Sequence, residues 1–259
     1  MAKGDKVQTT CPLCHRQQSS VYRIGIREDP SWPVYECTLC GLVYIDNRVS
    51  DLREYYRTVY RTRHEAIPGA VLTAEQRFQL QYAFARPSVK RFTEEVPAGS
   101  SVLEVGCSAG GFLAHLVKQG YDCFGSEWNP EDAKFVREVG ELPCEEGTLD
   151  EVYPGKTFTS IVALQVIEHV PDPLAFLRSC RERLIGGGWI YFETPNVRDA
   201  LLSCYNLEGF AKWYFREPHL TYWKAETLGA LLNAAGFEAR IHWYQRYSLH
   251  NHVNWILNG

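Results

Sequence analysis

The chain has 259 residues, 27 Lys/Arg against 31 Asp/Glu and a formal charge of −4, and 45% of it is hydrophobic. That composition fills one α/β domain with a small appendage, and it excludes a strongly basic nucleic-acid binder. No apolar run approaches the ~18 residues of a membrane span, and the opening MAKGDKVQTT has no apolar signal core, so a cytoplasmic protein with no membrane partner is expected.

The first predicted element is a cysteine framework. CPLC at 11–14 and CTLCG at 37–41 give the spacing C-x2-C-x22-C-x2-C. Each C-x2-C knuckle puts two sulfurs on one side of a tight turn, and two knuckles complete a four-sulfur shell suited to zinc. Cys11, Cys14, Cys37 and Cys40 are therefore the expected metal ligands. A shell of four thiolates has no open position, so the metal is expected to be structural. The other five cysteines are scattered among apolar neighbours and are read as thiols.

A helical bridge follows, over roughly 51–63 and 73–96, with Thr73 as its cap. Its first part, RVSDLREYYRTVYRTR, concentrates Arg48, Arg53, Arg57, Arg61 and Arg63. Such a strip suits a phosphate-bearing ligand, or is a solvated helix face. Beyond Pro97 strands and helices alternate. SVLEVG, YDCFGSEW, FTSIVALQV, WIYFETP and FEARIHWY read as strands. GGFLAHLVKQG, PEDAKFVREVG, PDPLAFLRSCRERLI (closed by three glycines) and ETLGALLNAAG read as helices. Apolar strands alternating with amphipathic helices predict a parallel sheet covered on both faces. The expected division is a zinc-binding ribbon at 1–48, a helical bridge at 49–98 and an α/β domain at 99–259.

In such a sheet ligands bind at the carboxyl ends of the strands. The first strand ends in E-x-G-x-S-x-G-G, where Gly106 and Gly110 let backbone approach a ligand. Glu104 before them would repel a pyrophosphate and suits a cationic ligand. The second strand ends at Glu127, placed to accept the ribose hydroxyls of an adenosine, with Trp128 offering a flat apolar face. EEGTLDEV then supplies Leu149 near the third strand end, and LQVIEHVPDP follows the fourth.

VLEVGCSAGG, GSEWNP, EEGTLDEV, LQVIEHVPDP and AETLGALLNAAGFEAR together resemble the class I S-adenosylmethionine-dependent methyltransferases over residues 75–259. The resemblance implies a Rossmann-like sheet and a sulfonium cofactor contacted by Glu104, Gly106, Gly110, Glu127, Trp128, Leu149 and Gln165. With the four-cysteine ribbon in front, the chain looks more narrowly like zinc-module methyltransferases that act on sugars, including deoxysugar C-methyltransferases.

Methyl transfer to oxygen or carbon requires removal of a proton. IEHV offers Glu168 and His169, and REPHLTYW offers Glu217, His219 and Tyr222. His219 resembles the histidine of an E-H-Y-S motif in the sugar C-methyltransferases and is the expected base, with Glu217 or Tyr222 orienting it. His169 is the rival base, or shapes the cofactor loop. Seven aromatics within 205–223 either roof an acceptor pocket or form a small core of their own. The expected function is S-adenosylmethionine-dependent methylation of a sugar or sugar-containing small molecule, a nucleotide-sugar, glycan or natural product, at oxygen or carbon. The alternatives are an RNA or protein methyltransferase docked through the ribbon, and a non-catalytic cofactor-binding protein.

Overall fold

The computed structural model describes residues 6–7, 9–46, 48–64 and 71–258. Its strands in chain order are β1 (Lys6–Val7), β2 (Ser19–Ile24), β3 (Pro33–Cys37), β4 (Val43–Ile45), β5 (Ser101–Val105), β6 (Asp122–Ser126), β7 (Cys144–Glu145), β8 (Phe158–Leu164), β9 (Leu184–Glu193) and β10 (Thr221–Tyr222). The helices are α1 (Leu52–Glu54), α2 (Tyr60–His64), α3 (Ala74–Glu95), α4 (Gly111–Val117), α5 (Pro130–Glu138), α6 (Pro173–Glu182), α7 (Ala200–Ser203), α8 (Glu208–Tyr214), α9 (Ala225–Ala234) and α10 (Leu249–Asn258), with a π-helical turn, Tyr55–Val59, joining α1 to α2. No helix among the described residues is long and apolar enough to cross a membrane.

The chain divides into two compact units. One comprises Val49–Val166 and Ser179–Glu193. Its five-stranded sheet has the order β7-β6-β5-β8-β9 and is parallel throughout, the Rossmann-like arrangement expected from the apolar strands. The Thr73 hydroxyl accepts from the Gln76 N–H, and the Gln76 side chain returns to the Thr73 N–H, so α3 starts at a complete capping box. α5 starts on Asn129 with Pro130 in its first turn. Phe92 and Val89 of α3, Phe112, Leu113 and Leu116 of α4 and Val136 of α5 close over Val102, Cys123 and Val162 of the sheet.

The other unit gathers residues 1–48, 167–178 and 194–259. Its sheet, β1-β2-β3-β4-β10, is antiparallel. Val34, Val43 and Ile45 share one apolar cluster with Leu201, Phe210, Tyr214, Phe215, Leu220 and Tyr222. The division expected at residues 48 and 98 follows chain order, whereas compactness follows burial. Four short β-strands of a small ribbon cannot bury their own apolar face, and here the late segment supplies the rest of the core.

Two local expectations differ. The three glycines 186–188 do not close a helix. They lie inside β9, where the pairing with β8 jumps from Phe158↔Leu184 to Ser160↔Trp189, so the glycines form a bulge. Residues 237–246 form no strand. Their apolar alternation is that of a strand, but no strand among the described residues runs alongside them to take their hydrogen bonds.

Candidate active site

The turn between β5 and α4 is built from left-handed backbone: φ is +68° at Gly106, +47° at Ser108 and +81° at Gly110. A Cβ on Gly106 would stand 3.0 Å from Val166 Cγ2, and one on Gly110 3.0 Å from Val136 Cγ2, so both glycines are required by backbone and by space. Glu104 on β5 is buried, and its Oε2 has no hydrogen-bond partner. Burial, then the neighbouring Cys144 and Glu127, push its carboxyl well above the usual range. An orphaned acid facing a glycine turn is the donor set that a cationic ligand satisfies.

Glu127 follows β6. Its Oε2 accepts from the Ser108 N–H and its Oε1 from the Asn129 N–H, both at 2.8 Å. Burial raises its pKa, and the Arg61 guanidinium opposes that most strongly. Trp128 packs on Tyr56 at 5.6 Å, and its indole N–H is buried with no acceptor. Leu149 is buried beyond β7. Gln165 just after β8 has φ +57°, an uncommon conformation for a side-chain-bearing residue, and its N–H is held by the Glu193 carbonyl. The cofactor residues expected from the sequence thus lie in one unit, on the ends of β5, β6, β7 and β8. Ser108, Asp132 and Arg61, which tie this turn together, were not anticipated.

The basic strip is not a free phosphate surface. Arg53 pairs with Glu151, Arg57 with Glu146 at 3.7 Å, and Arg61 with buried Asp132. Arg48 lies over Trp32 at 3.9 Å. Acids of the strand-end loops take the charges that a phosphate would need.

The base candidates lie together in the other unit. Glu168 and His169 sit in the 3₁₀ turn Ile167–His169, and the Glu168 carbonyl accepts the Leu220 N–H at 2.7 Å, which brings the His219 segment beside them. The His169 and His219 rings meet edge to face at 4.8 Å. One ligand atom each of Glu168, His169 and His219 falls within 4.8 Å of the others. Glu168 is fully buried; its Oε2 accepts from the Thr194 hydroxyl at 3.1 Å and its Oε1 has no partner. Burial pushes its carboxyl up to about 8. Tyr222, expected to orient His219, spends its hydroxyl on the Arg216 backbone, accepting from the N–H at 2.9 Å and donating to the carbonyl at 3.1 Å. The Glu217 N–H is held by Glu28 at 2.8 Å. The Tyr222 ring still stands 6.0 Å from that of His219, and Glu168 is a neighbour of His219 that sequence spacing did not indicate.

Of the seven aromatics at 205–223, Phe210, Tyr214, Phe215, Tyr222 and Trp223 are buried. Most of this group is core, as its own small cluster, and only Tyr205 and Trp213 are about half exposed.

The four N-terminal cysteines converge. Their sulfurs lie within 4.8 Å of one another, with Cys11–Cys40 and Cys14–Cys37 each at 3.6 Å. The two knuckles are built alike: the His15 N–H bonds to the Cys11 carbonyl and the Gly41 N–H to the Cys37 carbonyl, each at 2.9 Å. His15 (φ +56°) and Gly41 (φ +75°) occupy the same left-handed position in each knuckle.

A methyltransferase domain family matches residues 74–241 of this chain. The chain belongs to that family. A ubiquinone biosynthesis O-methyltransferase of Aliivibrio fischeri is 34% identical over 131 residues, 47% of this chain and 56% of that protein. One from Thiobacillus denitrificans is 29% identical over 153 residues, 54% of this chain and 66% of that protein. The chain thus spans little more than half the length of the first of these curated relatives. A solved S-adenosylmethionine-dependent methyltransferase from Archaeoglobus fulgidus is similar with a TM-score of 0.52 and 21% identity, over 63% of this chain and 72% of that one, a likeness of fold.

Proposed function

We propose that this methyltransferase acts on a hydroxyl or acidic carbon of a small sugar-containing molecule, with His219 as the base. The observation that carries the reading is the Glu168–His169–His219 cluster, three titratable groups converging around a buried carboxyl with an unsatisfied oxygen. S-adenosylmethionine supplies the electrophilic methyl. Glu104, Glu127 and the Gly106–Gly110 turn bind and orient it. His219 would accept the proton lost by the acceptor, whose electron pair would displace S-adenosylhomocysteine from the methyl carbon as the sulfur–methyl bond breaks, and Glu168 and His169 would fix the imidazole. The sugar acceptor rests on the four-cysteine ribbon and the His219 segment, both of which resemble zinc-module sugar methyltransferases. A second reading, O-methylation of a ubiquinone precursor, is favoured by the 34% identity to the Aliivibrio fischeri protein. Both chemistries use the same base.

Zinc is proposed on Cys11, Cys14, Cys37 and Cys40. A tetrahedral shell with Zn–S of about 2.3 Å has sulfur–sulfur edges of about 3.8 Å, close to the observed 3.6 Å pairs. The metal would close the ribbon and take no part in methyl transfer.

The test is release of S-adenosylhomocysteine from S-adenosylmethionine with nucleotide-linked sugars in one series and dihydroxybenzoates in another. Turnover with the first supports the sugar reading, and turnover with the second alone replaces it. With the accepted substrate, His219→Ala should lower turnover by ~10²–10⁴ and leave S-adenosylhomocysteine affinity nearly intact. A wild-type rate in that variant removes His219 as the base.

A further inference from the structure

The cofactor turn carries a serine at its middle position, and that serine is bonded on both sides. Its N–H donates to Glu127 Oε2 at 2.8 Å. Its hydroxyl donates to Asp132 Oδ2 at 2.9 Å and accepts from Arg61 Nη2 at 2.9 Å. Asp132, fully buried, is bonded by Arg61 and also by buried Arg77, whose Nε donates to Asp132 Oδ1 at 2.7 Å. Arg61 does not come from the sheet or its crossover helices. It belongs to α2, ahead of them in the chain, and reaches the turn 47 residues later.

Two features make this more than a structural clasp. The Nε–H of Arg61 is buried and has no acceptor, so the guanidinium keeps one donor for an oxygen that the protein does not provide. Glu127, the expected ribose acceptor, is half-buried, and its desolvation raises its pKa, so the carboxylate needs a counter-charge to stay ionised. The charged and titratable groups around it are Arg61 from α2, Asp132 from α5, Glu104 from β5 and Cys107 from the turn. Asp132, Glu104 and Cys107 all disfavour its negative charge, Arg77 is taken by Asp132 and Glu131, and Arg61 is the cation among these groups that favours it.

We propose that Arg61 is a positioning residue for the cofactor: held at the glycine turn by Ser108 and Asp132, it keeps Glu127 in the ionised form that accepts a ribose diol. The inference rests on Glu127 being the cofactor's ribose acceptor. It makes cofactor affinity depend on a helical segment outside the sheet. The outer turns of that segment are clamped to the strand-end loops by Arg53 to Glu151 and Arg57 to Glu146. It also gives a reason for Ser108 where the simplest glycine turn would have another glycine, since only a hydroxyl bridges the arginine and the aspartate.

The test is calorimetric binding of S-adenosylhomocysteine to the whole protein at about pH 6 and about pH 8.5, because a carboxyl whose pKa is raised takes up its proton more readily at the lower pH. The proteins compared are wild type, Arg61→Met, Arg61→Lys, Glu127→Gln and the double variant Arg61→Met/Glu127→Gln. Without its counter-ion Glu127 takes up a proton at a higher pH. Arg61→Met should therefore bind about tenfold more weakly than wild type near pH 6, with the gap narrowing near pH 8.5. Arg61→Lys restores the charge and should restore most of the low-pH affinity while lacking the forked contact. It also serves if Arg61→Met does not fold. The double variant should bind no worse than Glu127→Gln alone, because Arg61 acts through that carboxylate. Unchanged affinity in Arg61→Met, a loss equal at both pH values, or losses that multiply in the double variant would overturn the proposal. If Glu127→Gln binds as wild type does, the ribose role of Glu127 fails, and this inference with it.

Discussion

Glu168 is the side chain whose environment departs most from what its neighbours in sequence suggest. It is fully buried in the turn after β8, takes one hydrogen bond from Thr194, and burial lifts its pKa from the ordinary 4.5 to about 8. A carboxyl raised in the folded state is held neutral there. The stability this confers is full below about 4.5 and is lost as pH rises through about 8. Melting temperature measured from about pH 5 to about pH 9 should fall in the wild type relative to Glu168→Gln, whose amide cannot ionise. Parallel profiles would mean that Glu168 is already charged in the fold. The same shift puts a proton acceptor near neutral pH next to His219 and His169, the range in which general acid–base catalysis operates.

At the scale of elements, the position of the cofactor turn depends on how closely α4 approaches α3. α4 opens on Gly111, and a Cβ there would stand 2.5 Å from Gln81 Cβ and 2.6 Å from the Tyr82 backbone nitrogen. One is a helix backbone nitrogen and the other a Cβ fixed to that backbone, so neither can swing aside. Gly111→Ala should therefore force the helices apart and destabilise the protein by about 1–3 kcal/mol, readable as a lower urea midpoint with an unchanged slope. Weaker S-adenosylhomocysteine binding should accompany it, since α4 follows directly on Gly110. An unchanged midpoint would show that α3 yields at no cost. Elements were legible in sequence where the pattern is local. The near-continuous apolar run of β8, the Thr73 box and the Asn129–Pro130 start of α5 are each settled within a few residues. The failures, the glycine bulge in β9 and the unpaired stretch at 237–246, turn on which strand lies alongside, and no window of sequence contains that partner.

Across the whole molecule, the candidate metal and catalytic groups and the candidate cofactor groups divide between the two units in a way that chain order conceals. The four cysteines, Glu168, His169 and His219 belong to one unit, and Glu104, Glu127, Trp128 and Gln165 to the other. β4 links the first set. It starts two residues after Gly41 of the second knuckle and pairs Val43 with Tyr222 and Tyr44 with Thr221, while the Ile45 N–H donates to the Leu220 carbonyl. With zinc bound as proposed, its removal by a strong chelator, or by Cys37→Ser, should thus lower the melting temperature and also slow methyl transfer. S-adenosylhomocysteine binding should persist, because the cofactor residues lie in the other unit. Full zinc occupancy in Cys37→Ser would remove the four-cysteine assignment. Full activity in metal-free protein would mean that the ribbon holds its shape without the ion.

By resemblance of its motifs the sequence pointed to the family, and by itself it determined the two cysteine knuckles, the parallel sheet and the glycine turn with its acids on β5 and just after β6. Each is encoded by spacing and periodicity within about twenty residues, and backbone geometry translates such patterns directly into structure. The tertiary structure decided which distant groups face one another: Arg61 with Ser108 and Asp132, Glu168 with Thr194 and the His219 segment, the ribbon with the last third of the chain. Those pairings arise because a buried charge or an open apolar face is satisfied by whatever side chain the fold carries to it, and spacing along the chain does not record that distance.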